Sequence, residues 1–360
     1  MQLLWKMNIN QGTSVTEHTL LTQANFFLHQ FDAVNDRVTF INSTQEKLNH
    51  ISFLDGRDNF SVDNTHYVHQ ASQLLANESL TVKTPVTRYI YHVGFCGSTL
   101  LAKTLGHILS KVQCLKEPQV LIDLANLKAQ NHLHYRDRSK WQQGLNVVIN
   151  QLGKTFTKDQ HAMIKPSNWV NSLLPDLVTQ VPEQKAVFLT IDLAQYLLAI
   201  FRGGKARINF IYHLREHLLA VMPEYKTLIN QIDNSGEDIY IKVAKSAAVV
   251  YMMQHSQFSR AQASLPSCQW TEIYYQQLIE QPFDTLKQAG DTLSLPLTDK
   301  ELLSAISELF GQHAKQDKQR YTYESQQEVD KQVLQAYSPA INSALDWYAL
   351  HVDEQGRQIA

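Results

Sequence analysis

The stretch Tyr89-Ile90-Tyr91-His92-Val93-Gly94-Phe95-Cys96-Gly97-Ser98-Thr99-Leu100-Leu101 decides the fold. An apolar run of strand type, spanning 86–93, passes through a turn bracketed by two glycines. It then enters a segment, 98–110, where Leu101, Leu105 and Ile108 recur at helical spacing. Strand, glycine turn and helix in that order set a row of backbone N–H groups at a helix start, where the helix dipole favours an anion such as phosphate or sulfate. Gly94 and Gly97 let the backbone approach that anion closely. With Phe95, Cys96, Ser98 and Thr99 they form the candidate cradle.

Working outward, apolar β-type runs at 111–116, 162–165, 186–191 and 270–275 alternate with helical segments, the longest an insertion over about 205–265. Such alternation predicts an α/β protein of three layers, a parallel sheet flanked by helices, joined by right-handed crossovers. Residues 1–84 read as an N-terminal segment packed on this main domain, 85–360. Within that segment Arg37–Ile41 reads as a strand and Tyr67–Leu75 as a short helix.

Open α/β sheets bind ligands beyond the carboxyl ends of their strands. Besides the cradle, those ends carry Lys116 and Glu117, Lys165 and Ser167, and Asp192. Glu117 is the candidate general base, taking a proton from an acceptor hydroxyl, and Lys165 is a candidate contact for a donor or leaving group. Lys116 alternates with Glu117 and should face the other side, as a structural residue. His92, just before the cradle, is a candidate for the acceptor side or a core histidine. Cys96 should feel the helix start, which lowers a thiol pKa. His132 and His134 share a face if extended, but no third ligand lies at metal-site spacing, so no metal is expected.

The pattern G-x-x-x-x-G-K-[ST] of nucleotide-triphosphate loops carries a lysine after its second glycine. Here Ser98 stands in that place, which argues against ordinary ATP or GTP hydrolysis. With 44% hydrophobic and 18% charged residues over 360 positions, the chain can bury a full core without staples. A net charge of −2 provides no global basic field, so no nucleic-acid partner is expected and any anion site must be local. Cys96, Cys114 and Cys268 fit neither a disulfide framework nor a C-x-x-C site, and no run of about 18 apolar residues occurs. The expectation is a cytoplasmic protein without a membrane partner.

The loop Phe95-Cys96-Gly97-Ser98-Thr99 resembles the 5′-phosphosulfate loop of the sulfotransferase family, R/K-S-G-[ST]-[ST] between a strand and a helix. Cys114–Leu121 looks like the segment that supplies a base glutamate in some branches. Tyr274–Pro282 is similar to the family's R-Y-E-D-L…P segment in apolar spacing. His313-Ala314-Lys315, followed by Tyr321 and a terminal helix, looks like the basic loop that closes over the donor. The resemblance implies a P-loop-like sulfotransferase fold of a divergent bacterial branch. It also implies a sulfuryl donor, 3′-phosphoadenosine-5′-phosphosulfate (PAPS), and an unidentified small-molecule, glycan or peptide acceptor bearing a hydroxyl or amine. The family's basic loop residue is replaced by Phe95, and its arginine for the donor's 3′-phosphate is absent from Phe188–Leu193. Arg202 or Arg207 would have to serve from further along, with Lys315 covering the donor. Two other classes remain open: a P-loop nucleotide kinase or NTPase, with Asp192 ending an apolar strand as a metal-binding aspartate would, and a non-catalytic nucleotide-binding protein.

Overall fold

The computed structural model describes residues 15–76, 87–312 and 323–352. After a short helix, Glu17–Thr22, come three antiparallel strands, β1 (Phe26–Asp32), β2 (Arg37–Asn42) and β3 (His66–Gln70), in the order β1-β2-β3. The expected helix over Tyr67–Leu75 is therefore corrected. Its first half is β3, paired with β2 through Phe40 opposite Tyr67 and Ile41 opposite His66, and only Ala71–Leu75 is helical. Pairing to an existing strand overrides local helical spacing.

A second sheet carries β4 (Arg88–His92), β5 (Val112–Lys116), β6 (His161–Lys165), β7 (Lys185–Thr190) and β8 (Trp270–Tyr274). Its order is β5-β6-β4-β7-β8 and every pair is parallel. Helices cover both faces, as a parallel sheet requires. The central strands are apolar in their middles because neither face meets water: Tyr89, Ile90 and Tyr91 on β4 are buried, and so are Val187, Phe188 and Leu189 on β7. Tyr89 stacks on Tyr91 with centroids 5.2 Å apart, and Tyr91 on Phe188 at 5.6 Å. From β4 the chain runs first to β5 and β6 on one side, then to β7 and β8 on the other. The crevice beyond β4 lies where this order reverses, the usual ligand position of such sheets.

Between β7 and β8 lie helices Leu193–Arg202, Gly204–Leu219, Lys226–Asp233 and Ile239–Ser264, which occupy the region expected for the insertion. The last of them packs against the final helix, Tyr323–Ala349.

β5 is an edge strand, and the N-terminal segment covers it. The Asn49 side chain accepts from Cys114 N at 3.0 Å, and Leu54 N donates to the Lys116 carbonyl at 2.8 Å. Satisfying an open edge in this way removes a template for aggregation. The same segment then delivers Phe53 and Arg57 to the strand ends.

Candidate functional site

Three residues after Tyr91 the backbone leaves the extended region. Gly94 has φ 91°, Phe95 φ 57° and Gly97 φ 75°. A Cβ on Gly94 would lie 3.0 Å from Asn168 Nδ2, and one on Gly97 would lie 3.0 Å from Tyr275 Cδ2, so both positions require glycine for space as well as conformation. Phe95 has no such freedom. Among the described residues, the non-glycine positions at positive φ are Asp36, Asn64, Asn131, Ser294, Phe95 and Glu117. Short polar side chains such as Asn and Asp tolerate that region; phenylalanine and glutamate do not, and their strain marks positions over-determined by their surroundings. Both lie at strand exits, Phe95 in the cradle after β4 and Glu117 after β5, with β6 between the two strands.

Gly97 is the N-cap of the cradle helix Ser98–Leu105, and no side chain caps it. The first intrahelical bond in this turn runs from Leu101 N to the Gly97 carbonyl, 3.1 Å. The amides of Ser98, Thr99 and Leu100 thus have no intrahelical acceptor and lie at the positive end of the dipole. Ser98 is buried and Thr99 half-buried.

His92, a catalytic candidate from sequence, proves to be a brace. Its Nδ1 accepts from Gly94 N at 3.1 Å, which leaves Nε2 to donate to the Pro166 carbonyl at 3.0 Å. Burial, with Lys165 nearby, holds its pKa well below the ordinary value, so it is a neutral link between the exits of β4 and β6. Asn168 and Asn171 complete the bracing: their amides donate to the carbonyls of Val93 at 3.2 Å and His92 at 3.0 Å, and both reach Gln254 Oε1.

Cys96 also departs from expectation. Its side chain points inward, fully buried, with Sγ 3.6 Å from the Leu189 carbonyl. Burial pushes the thiol up to about 11; Lys165 and the neighbouring backbone N–H groups act the other way and are outweighed.

Glu117 sits at the exit of β5, its amide bonded to the Lys165 carbonyl at 2.6 Å. One carboxylate oxygen pairs with Lys165 Nζ, and the other lies 3.2 Å from an Arg57 Nη. The Lys165 side chain is 1% exposed and that of Glu117 11%. Lys165 is therefore paired with Glu117, while it stays near enough to His92 and Cys96 to act on both. Arg57 stacks over Phe53 at 3.8 Å and also pairs with Asp55. Lys116, as its alternation suggests, goes elsewhere: its Nζ donates to the Asn49 carbonyl at 2.6 Å.

Arg202 is paired with Asp330 of the final helix at 2.6 Å, which commits it to holding that helix. Arg207 places its guanidinium carbon 4.8 Å from the Phe95 ring centroid and donates through Nη1 to the Ala199 carbonyl at 2.5 Å. Lys315 lies outside the described residues. Arg57, Asn168, Asn171 and Gln254 escape a sequence reading because none belongs to a local motif; Tyr275 lies in the Tyr274–Pro282 segment, but its contact with Gly97 does not show there. The glycine at 97 required a close neighbour, yet nothing in the sequence said which. Among the described residues no group of three potential metal ligands forms, and no helix is long and apolar enough to cross a membrane.

No curated protein matches the chain in sequence. Among solved structures, the sulfotransferase domain from the curacin biosynthetic pathway aligns over 62% of this chain and 78% of its own, at 13% identity and a TM-score of 0.34. Sulfotransferase STF9 from Mycobacterium avium aligns over 74% and 80%, at 10% identity and a TM-score of 0.41. The α/β architecture stands on the strand order itself. A sequence profile of the sulfotransferase family matches residues 96–299, from inside the cradle to beyond β8. That match covers more than half of the chain, and the chain belongs to the sulfotransferase family.

Proposed function

We propose that this protein transfers a sulfuryl group from PAPS to a hydroxyl or amine of an acceptor. The observation that carries the reading is a glycine cradle without a lysine at the exit of the central strand, with a buried carboxylate, Glu117, at the exit of β5. Family membership supports sulfuryl transfer as the general chemistry; the donor and the acceptor class are the proposal. The residues present fit such a donor: Gly94 and Gly97 give the loop its left-handed turns, and the helix-start amides of Ser98 to Leu100 lack intrahelical acceptors.

When bound, PAPS supplies the sulfuryl group and a phosphate leaving group. The amides of Ser98 to Leu100 hold its anionic end, and the hydroxyls of Ser98 and Thr99 add donors. Glu117, fixed between Lys165 and Arg57, takes the acceptor proton as the new bond to sulfur forms. His92 and Asn168 keep the loop rigid, so the amides need no rearrangement when charge develops. The free thiols Cys96, Cys114 and Cys268 support a reducing, cytoplasmic setting.

The test is thermal melting with 3′-phosphoadenosine-5′-phosphate, the product that retains both phosphates. At a hundredfold excess over its dissociation constant it should add about 2.7 kcal/mol without magnesium. ATP with magnesium should add less. A shift seen only with ATP and magnesium would transfer the assignment to a nucleotide kinase.

A further inference from the structure

One turn of the insertion helix Ile239–Ser264 meets the exits of β6 and β7 and, through two asparagines, that of β4. Tyr251, Gln254 and His255 stand three and four residues apart, so they share a face of the helix. Tyr251 Oη donates to the Ile191 carbonyl at 2.9 Å, just past β7, and His255 Nε2 lies 2.9 Å from Thr190 Oγ1 at the end of that strand. Gln254 Oε1 accepts from Asn168 Nδ2 at 3.3 Å and from Asn171 Nδ2 at 3.1 Å, both in the segment that follows β6. We propose that Gln254 is a positioning residue of the cradle, acting through these two asparagines on the backbone from which the loop turns. The donor assignment above supplies only the identity of the anion that the loop holds.

The route from Gln254 to the loop is short. Asn168–Leu173 is a 3₁₀ helix, in which residues three apart eclipse, so the two asparagine amides point the same way. An amide nitrogen carries two donors. Here each serves Gln254 and one loop carbonyl, that of His92 at 3.0 Å from Asn171 and that of Val93 at 3.2 Å from Asn168. A Cβ on Gly94 would lie 3.0 Å from the same Asn168 nitrogen, so a shift of that amide is felt at the left-handed turn, φ 91°, that opens the cradle. Gln254, Asn168 and Asn171 are all buried, and a buried donor left without its acceptor is costly. One oxygen takes both amides, so removing it releases both asparagines together. The helix-start amides beyond them then lose the fixed placement that a preorganised anion site needs.

Hydrogen exchange read by mass spectrometry on the ligand-free chain, and calorimetric binding of 3′-phosphoadenosine-5′-phosphate without magnesium, test the assignment. Gln254→Met keeps the length of the side chain and removes the acceptor. The peptide over 92–101 should then exchange about tenfold faster, the scale of two released neutral hydrogen bonds, while the peptide over β1 and β2 stays as it was. Nucleotide affinity should fall by about the same factor. Gln257→Met is the control: Gln257 is also buried, lies three residues further along the helix and makes no hydrogen bond to Asn168 or Asn171, so neither readout should move. Gln254→Glu, which keeps an oxygen toward both amides, should retain the parent's loop exchange and affinity. Equal loop exchange in Gln254→Met and the parent overturns the proposal. So does a rise shared by the β1–β2 peptide or by Gln257→Met, the mark of a general loss of stability, and so does unchanged affinity in Gln254→Met where the parent binds. Faster loop exchange in Gln254→Met, with a parent protein that binds no nucleotide, upholds the positioning role and overturns the donor assignment instead.

Discussion

Replacing Glu117 by glutamine separates its two roles, as a proton acceptor and as the counter-charge of a buried lysine. Glutamine keeps the shape and one carbonyl acceptor but leaves Lys165, whose side chain is 1% exposed, without its anion. Breaking a buried ion pair by removing one partner costs about 3–5 kcal/mol. An unfolding entropy of roughly 2.1 cal/mol/K per residue, over 360 residues, makes about 0.76 kcal/mol/K. The melting temperature of Glu117→Gln should therefore fall by about 4–7 °C. Adding Lys165→Met removes the orphaned charge, and apolar replacement of a buried pair is neutral or stabilising. Urea unfolding of the four proteins in the cycle should then show the double variant at least about 2 kcal/mol more stable than Glu117→Gln. Turnover with an acceptor should stay about 10²–10⁴-fold below the parent in both, because both lack the base. A Glu117→Gln variant within about 0.5 kcal/mol of the parent, the scale of an exposed pair, would refute the buried-pair argument. Turnover restored in the double variant would remove Glu117 as proton acceptor.

Timed alkylation with iodoacetamide should label exposed Cys268 first and leave Cys96 and Cys114 until the chain unfolds, since both are buried and burial raises both thiols, that of Cys96 to about 11; peptide mass spectrometry showing Cys96 modified as fast as Cys268 in the folded protein would contradict the inward-facing loop. Stability should fall with acid below about pH 6.5, because burial holds His29 and His217 at about 4 in the folded state while the unfolded chain binds those protons near 6.5. The unfolded state then carries more protons throughout that window, costing about 1.4 kcal/mol per pH unit for each histidine. Urea midpoints measured from pH 7.5 to 5 check this, and His29→Gln should reduce the slope by about one proton; a flat profile would show these histidines to be solvated.

The parallel sheet was legible because its strands are buried on both faces and so read as unbroken apolar runs, each found within a residue or two of its observed ends. In the N-terminal sheet β2 was legible, read as Arg37–Ile41 and observed as Arg37–Asn42, but β1 and β3 were not. β1 is buried at Phe26, Phe27, Leu28 and His29, then breaks at exposed Gln30, because the register shifts between Leu28 and Gln30. A bulge of that kind erases the alternation by which a half-buried strand is recognised. β3 reads His-Tyr-Val-His-Gln, with Val68 and Gln70 exposed and the other three half-buried, and it exists because β2 offers an edge to pair with.

The cradle could be read because its chemistry is contiguous: glycines, turn and helix start follow one another within a few residues. What surrounds it is assembled from afar, and there local rules fail for identifiable reasons. A cysteine at a helix start should be acidic, yet Cys96 turns toward the Leu189 carbonyl and desolvation outweighs the field. A lysine at a strand exit should face the ligand, yet β5 and β6 pair with Lys116 beside Lys165, and two buried cations side by side each need an acceptor. Lys116 finds the Asn49 carbonyl, while Lys165 finds Glu117, whose left-handed backbone ends the strand's alternation and lets its carboxylate reach the neighbouring strand. Arg57, 60 residues before Glu117, then occupies the other oxygen. The same N-terminal segment that protects the β5 edge thereby fixes the orientation of the proposed base. Loss of the Arg57 contact would free one carboxylate oxygen and leave the other tied to Lys165. Edge protection and base positioning are consequently one packing event, which is why a segment with no motif of its own belongs to the site.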